Sequence, residues 1–231
     1  MPSNVSSAQT ANGGLFRTRI AGRPARTTEA FERLRASALH ARPAHVAGTR
    51  LAWSSTDDVH LYGGSVSVSD DPAEGHWELI SIRDDIFLVI SDCEYTRARG
   101  ECVMPEGFVE FHFMLKGPVS VELSEAGQVQ IGAPNLTIVQ QGDDMTYQVH
   151  CGPGTWRSVG MYVNRNYFEE FVRRSVGTSS ALHRKLAAVE TEQVVCHQMP
   201  VGVEVLQAVE KLLANPYQAY RRLLFAEAKA C

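Results

Sequence analysis

Hydrophobic and polar positions alternate along the middle of the chain, which is the pattern of half-buried β-strands. Segment Phe108–Gly117 is the clearest case, because Glu110 and His112 fall on one face of an extended strand and Phe111 on the other. Segment Ile86–Ser91 is almost continuously apolar instead, as expected of a strand that is buried on both faces. The central chain is therefore predicted to form a layered β-structure.

Further short strands follow at close spacing and are separated by turns that contain glycine or proline. They are predicted around Val66–Val68 and Trp77–Ile82, and at Val119–Leu123, Gln128–Ile131, Leu136–Gln141, Met145–Cys151 and Trp156–Val163. Many short strands with such turns indicate an antiparallel barrel or jelly roll.

From Asn164 onward the apolar spacing changes from two residues to about 3.6, which predicts helices. The predicted helices cover Tyr167–Val176, Ser180–Val189, Pro200 to Asn215, and the chain from Pro216. Asn166 and Glu169 match a capping box for the first helix, and Asn215 followed by Pro216 is expected to cap and start the last. Because that helix is still running at Cys231, we expect the chain to be a fragment of a longer protein.

The fold class is therefore mostly β with C-terminal helices, and all the strands are expected to precede those helices. Three regions are predicted along the chain. Residues 1–26 form a disordered tail, residues 27–163 hold a short helix (Thr27–Ala41) and the barrel, and residues 164–231 form a helical segment.

Composition limits the partners and the compartment. A net charge of -4 gives no general attraction to nucleic acid, and no apolar run reaches the roughly 18 residues of a membrane span. The polar N-terminus lacks a secretory signal, so we expect a cytoplasmic protein with no membrane partner. Five cysteines are an odd number without a C-x-x-C pair, which favours reduced thiols that act as small hydrophobic side chains.

Glu110 resembles the metal-binding glutamate of cupin barrels, because it stands seven positions before Gly117. The histidines that complete a cupin metal site are missing. The positions before Glu110 where two of them would stand fall within residues 103–106, and Met145 occupies the third histidine position. No bound metal or other cofactor is therefore predicted, although a cupin-type dioxygenase or isomerase remains the alternative.

The cupin resemblance implies that Glu110 points into the barrel. His112 and Met114 share its strand face, and Met145 and Tyr147 alternate on a second strand, so these five residues are the candidate ligand-binding set. For His112 a core histidine bonded to a carboxylate and a metal ligand also remain open. For Tyr147 the alternative is core packing with its hydroxyl at the surface.

The last two predicted helices carry apolar stripes, with Leu206, Val209 and Leu213 on one and Tyr220 and Leu224 on the other. A helix–helix subunit interface would use them, which predicts a homodimer. Docking of the helices onto the barrel is the alternative explanation.

Four stretches together resemble the N-terminal effector-binding region of AraC-type transcriptional regulators, in the branch that includes siderophore-responsive activators. They read EFHFMLKGPVSVEL, APNLTIVQQGD, GTWRSVGMYVNRNYFEEFV and PYQAYRRLLFAEAKA, and the resemblance covers about residues 66–231.

This resemblance implies a cupin-like barrel that binds a small-molecule effector, helices that dimerise, and a C-terminal helix-turn-helix domain that contacts DNA. Residues 1–231 would then sense and dimerise, and DNA binding would need that further domain. Two hypotheses from other classes remain: the cupin-type metal enzyme, and a pure dimerisation module whose barrel is filled by its own side chains.

Overall fold

The computed structural model describes residues 45–46, 49–55, 61–68, 73–82, 85–103, 107–117, 119–123, 127–142, 145, 147–175, 181 and 194–231. Within these ranges the strands are β1 (His45–Val46), β2 (Thr49–Ser55), β3 (Leu61–Val68), β4 (Ala73–Ile82), β5 (Ile86–Tyr95), β6 (Arg99–Val103), β7 (Phe108–Lys116), β8 (Val119–Leu123), β9 (Gly127–Ile131), β10 (Asn135–Gln141), β11 (Tyr147–Cys151), β12 (Gly154–Asn164) and β13 (Val194–Met199). The helices are α1 (Arg165–Ser175), α2 (Val203–Leu213) and α3 (Ala219–Ala230).

The strands form two antiparallel sheets. The large sheet has the order β1-β2-β3-β4-β5-β12-β7-β10-β13, and the small sheet has the order β6-β11-β8-β9. Buried side chains from both sheets belong to one apolar cluster, so the sheets pack face to face. The predicted class, a cupin-like antiparallel barrel with C-terminal helices, is confirmed.

The central strands of the large sheet are buried on both faces, as the apolar run at Ile86–Ser91 predicted. On one face Leu79 and Val89 join the cluster between the sheets. On the other face Ile80 and Ile90 pack against the side chains of α2 and α3. The C-terminal helices therefore cover the back of the sheet whose front faces the barrel interior.

The predicted cap of the first helix was wrong by two residues. Asn164, and not Asn166, accepts the hydrogen bonds: its Oδ1 lies 3.0 Å from the backbone N of Asn166 and 3.3 Å from that of Tyr167. Helix α1 consequently begins at Arg165. The last residue of β12 thus caps the helix that follows it directly.

The predicted start of the last helix was also wrong. Asn215 Oδ1 accepts a bond from the backbone N of Tyr217 at 2.9 Å, which closes an Asx turn, and α3 begins only at Ala219. The preceding helix spans Val203–Leu213 and therefore starts later and ends earlier than predicted. The Asn215-Pro216 pair therefore lies in the connection between α2 and α3 and is not part of α3.

The expectation that all strands precede the helices was wrong, because β13 follows α1 and pairs with β10 at the edge of the large sheet. Its six residues are all half-buried. β13 also contacts the other sheet, since Gln198 Nε2 donates to the carbonyl oxygen of Gln130 at 3.0 Å.

Three predicted features lie outside the described residues: the tail at residues 1–26, the helix Thr27–Ala41, and the helix Ser180–Val189 apart from residue 181. Within the described part of the chain, no helix is both long and apolar enough to cross a membrane.

Candidate ligand-binding site

A cavity of about 110 Å³ lies between the two sheets. Its walls carry aromatic, aliphatic and hydroxyl side chains from both sheets and one glycine. They are Trp77, Val89, Ser91, His112, Met114, Val119, Val121, Ile131, Thr137, Val139, Tyr147, Val149, Cys151, Trp156, Ser158, Gly160 and Tyr162. The barrel is therefore not filled by its own side chains, as a pure dimerisation module would require.

A buried carboxylate lies behind one wall of this cavity. Glu110 on β7 is 4% exposed, and its Oε2 lies 2.9 Å from His112 Nε2 and 2.8 Å from the hydroxyl of Tyr147. The Tyr147 bond crosses from the small sheet to the large one, so the network ties the two sheets together. Two donors on one oxygen offset the cost of burying the carboxylate.

Burial raises the pKa of Tyr147 well above its usual value, and the negative charge of Glu110 raises it further. The phenol therefore stays protonated at neutral pH and keeps donating to Glu110. The alternative that placed the Tyr147 hydroxyl at the surface does not hold, because the residue is 2% exposed.

Aromatic rings form much of the remaining wall. Trp156 Nε1 donates to Ser158 Oγ at 2.8 Å, which fixes the indole at the cavity edge. The rings of His112 and Tyr162 meet edge to face at 5.6 Å. Gly160 allows this approach, because a Cβ at that position would lie 3.0 Å from the ring of Tyr162.

The alternation of β7 places its predicted residues as expected. His112 and Met114 line the cavity, and Glu110 shares their face and bonds to His112 and Tyr147. Phe111 points to the opposite side, where its ring lies 5.6 Å from that of Phe168 in α1.

Met145 is the one member of the candidate set outside this grouping. It lies in a turn before β11, with its backbone N 3.2 Å from the carbonyl oxygen of Gly142, and it is not among the lining residues. β11 begins at Tyr147, two residues later than predicted, because this turn interrupts the alternation.

Several lining residues were not singled out from the sequence, among them Ser91, Thr137, Trp156, Ser158 and Tyr162. Alternation within each predicted strand could have grouped Trp156 with Ser158. Which face of β12 looks inward depends on the register with β7, and that pairing shifts between Arg157 and Ser158.

No group of three or more His, Cys, Asp or Glu side chains that could hold a metal ion occurs among the described residues. Glu110 and His112 provide only two candidate metal ligands. Met145 stands at the sequence position where the third cupin histidine was expected. The side chains of four of the five cysteines are described, and none of these four forms a disulfide. Burial raises the pKa of the Cys196 thiol, which keeps it protonated.

The predicted interface residues differ in what they contact. Val209 is 3% exposed and packs into the chain's own core, and Leu213 packs partly against that core. Leu206 is half-buried, whereas Leu224 is 41% exposed. The side chain of Tyr220 lies outside the described part of the chain. Docking onto the barrel thus accounts for Val209, and Leu224 is available to a partner.

A buried ion pair attaches the last helix to the barrel. Arg222 Nε lies 2.8 Å from both carboxylate oxygens of Glu78 on β4, and Arg222 Nη2 donates to the carbonyl oxygen of Leu212 at 2.8 Å. The neighbouring residue on β4, Trp77, lines the cavity. One strand therefore contacts the cavity on one face and the last helix on the other.

Part of this chain is similar to three solved structures. The chain is similar to an apo ToxT variant from Vibrio cholerae (9% identity, TM-score 0.43, 63% of this chain and 52% of that chain). It is also similar to an oxalate decarboxylase variant from Bacillus subtilis (11%, TM-score 0.30, 56% and 40%) and to KdgF from Halomonas sp. (13%, TM-score 0.28, 49% and 88%). The chain spans about half the length of the ToxT chain.

A comparison with curated proteins gave no significant match. The family model described as the regulatory protein PchR N-terminal domain matches residues 74–231, which is more than half of the chain. The predicted resemblance to the N-terminal region of AraC-type regulators is confirmed by this match. The matched residues carry the cavity, the network around Glu110 and the docked helices α2 and α3, and the chain belongs to the family of PchR N-terminal regulatory domains.

Proposed function

We propose that this chain is the sensing domain of a cytoplasmic transcription regulator and that its small-molecule effector binds in the cavity between the sheets. The observation that carries the proposal is the cavity itself: a partly open interior with aromatic walls and a few fixed polar groups. DNA binding would belong to a further domain of the regulator, and dimerisation to the helical end of the chain.

The effector would act through the arrangement of the sheets and helices. A ligand changes output only when it binds one arrangement more tightly than another. Strand β4 offers a physical connection, since Trp77 lines the cavity and Glu78 holds Arg222 of α3. A ligand that shifts β4 would therefore shift the helix that leads toward Cys231.

The test is a thermal-shift screen of a small-molecule library, followed by calorimetry on each compound that binds. Replacing His112 with Ala should weaken binding several-fold, because His112 lines the cavity. His150 provides a matched control: it also lies 2.9 Å from a carboxylate, that of Glu122, but this pair is exposed. Compounds that bind His112→Ala and the unmodified chain equally would place the site elsewhere.

A cupin-type metal enzyme is the second candidate, favoured by one observation: Glu110, whose position in the sequence resembles that of a cupin metal ligand, lies with its Oε2 2.9 Å from His112 Nε2. We propose that the chain is not an enzyme, since the described residues offer a pair of ligands and not a set of three. Metal analysis of purified protein decides the question. A transition metal at full occupancy, together with turnover of a substrate, would show that the chain is an enzyme and would contradict the proposed regulatory function.

A further inference from the structure

The described part of the cavity wall carries no positively charged side chain of lysine or arginine. Neither residue type occurs among the described residues that line the cavity. An anionic ligand would therefore give up its hydration without meeting a cation among these residues, which disfavours its binding. The hydroxyls of Ser91, Thr137 and Ser158 could donate hydrogen bonds to it, but they carry no charge to balance it.

A carboxylate lies next to the cavity wall. Both hydrogen bonds described for Glu110 fall on Oε2, and its other oxygen, Oε1, has no described donor. The two residues that make these bonds, His112 and Tyr147, line the cavity, so the carboxylate lies directly behind them. Tyr147 is neutral, and the Nε2 of His112 is directed at the carboxylate, so neither side chain offers surplus positive charge to an anion.

The aromatic walls favour the same sign of ligand. The indoles of Trp77 and Trp156 and the phenol ring of Tyr162 contribute to the lining. The face of an aromatic ring is negative and its edge positive, so a cation is attracted over the face, most strongly for tryptophan. A carboxylate combined with several aromatic rings is suited to an ammonium group.

The size of the cavity limits the ligand. Its volume of about 110 Å³ is smaller than the roughly 150 Å³ of an engineered cavity that accommodates benzene. Drug-sized ligands occupy pockets of about 300–1,000 Å³. The part of a ligand that lies inside this interior is therefore compact, with about as many heavy atoms as one small ring.

We propose that the cavity binds a compact organic ammonium cation, whose charge is matched by Glu110 and by the faces of the surrounding aromatic rings. This inference rests on the proposed function, in which the cavity is the effector site, and it adds the chemical class of the effector. The preference follows from the carboxylate, the aromatic lining, the lack of lysine and arginine among the described lining residues, and the volume taken together.

The test compares three probes of nearly equal shape by calorimetry on the unmodified chain: choline, its uncharged analogue dimethylbutanol with carbon in place of nitrogen, and the anion dimethylbutanoate. Choline should bind at least about tenfold more tightly than dimethylbutanol, which corresponds to about 1.4 kcal/mol. Dimethylbutanoate should be the weakest of the three.

Replacing Glu110 with Gln removes the charge and keeps the shape, so the affinity ratio of choline to dimethylbutanol should fall by about tenfold. The comparison on the unmodified chain remains decisive if this variant fails to fold. Dimethylbutanol binding as tightly as choline, or dimethylbutanoate binding best, would overturn the charge preference and leave the cavity a binding site. Absence of binding by all three would also overturn it, and the proposed function would then be judged by the screen with His112→Ala.

Discussion

At the residue scale, Glu110, His112 and Tyr147 decide what the barrel interior can do. A buried carboxylate is stable only when donors replace its lost water, and here one donor comes from each sheet. The same bonds that make the site polar therefore also hold the sheets together. Binding and stability depend on the same atoms.

Replacing Tyr147 with Phe should lower the free energy of unfolding by about 1–3 kcal/mol, because the buried Glu110 Oε2 loses one of its two donors. Urea unfolding measures this change. Tyr217→Phe is the control, since Tyr217 is 48% exposed and its loss should change the free energy by less than about 0.5 kcal/mol. Equal effects of the two substitutions would contradict the role given to the buried bond.

The raised pKa of Tyr147 predicts a loss of stability in alkali. Below the ordinary tyrosine value of about 10, the phenol is neutral in both states and its contribution is complete. Above it, only the unfolded chain releases the proton, so the stability advantage over Tyr147→Phe should shrink by up to about 1.4 kcal/mol per pH unit. Urea unfolding of both proteins between pH 8 and about 11 measures the difference. A stability difference between the two proteins that stays constant over this pH range would contradict the raised pKa of Tyr147.

At the scale of the elements, local hydrogen bonds decide where helices begin. Both Asn166 and Asn215 have the sequence context of a cap. At the start of α1, however, the acceptor is the side-chain oxygen of Asn164, the last residue of β12. A capping motif marks a helix start within a few residues. The strand or turn before it decides which residue takes the position.

Replacing Asn164 with Ala should destabilise the chain by about 1 kcal/mol, because two backbone N–H groups of α1 lose their acceptor. Asn166→Ala is the matched control and should have almost no effect, since Asn166 lies inside the helix and contributes only its backbone. Thermal or urea unfolding separates the two variants. A larger effect at Asn166 would restore the cap predicted from the sequence.

Replacing Arg222 with Met should cost about 3–5 kcal/mol, because Glu78 would be left mostly buried without its partner. Hydrogen exchange should show α3 opening more often than α2, since Arg222 belongs to α3. The double variant Glu78→Met with Arg222→Met should recover much of the loss, because no unpaired charge remains. A double variant as unstable as the single one would show that packing, and not charge, holds the helix.

At the scale of the whole molecule, the predicted homodimer depends on surface that α2 and α3 leave uncovered. Val209 is taken up by the internal core, so an interface would use exposed positions such as Leu224. Dimerisation stays a prediction. The division of the chain into a barrel and a helical segment at residue 164 also stays a prediction, and β13, which follows that residue, pairs with the large sheet.

Replacing Leu224 with Glu should shift the chain from dimer to monomer without unfolding it, because a charge would be buried in the predicted interface. Sedimentation velocity measures the mass, and circular dichroism checks the fold. Gln207→Glu, at an exposed position of α2, is the control for the added charge. A dimer that survives Leu224→Glu would place the interface elsewhere.

Alternation along the chain was enough to identify most strands and to place Glu110, His112 and Met114 on one face, because side-chain direction in a strand repeats every two residues. The continuous apolar run at Ile86–Ser91 was likewise enough to predict a strand that is buried on both faces. These properties are local, so the sequence by itself determined them.

Only the tertiary structure decided which strands closed the barrel and what reached the cavity. β13 was not predicted because its pairing partner, β10, lies more than 50 residues earlier in the chain. Met145 fell outside the site because a turn breaks the alternation before β11, and Arg222 paired with Glu78 across a separation of 144 residues. Contacts between distant segments depend on how sheets and helices pack in three dimensions, and no local pattern in the chain records that packing.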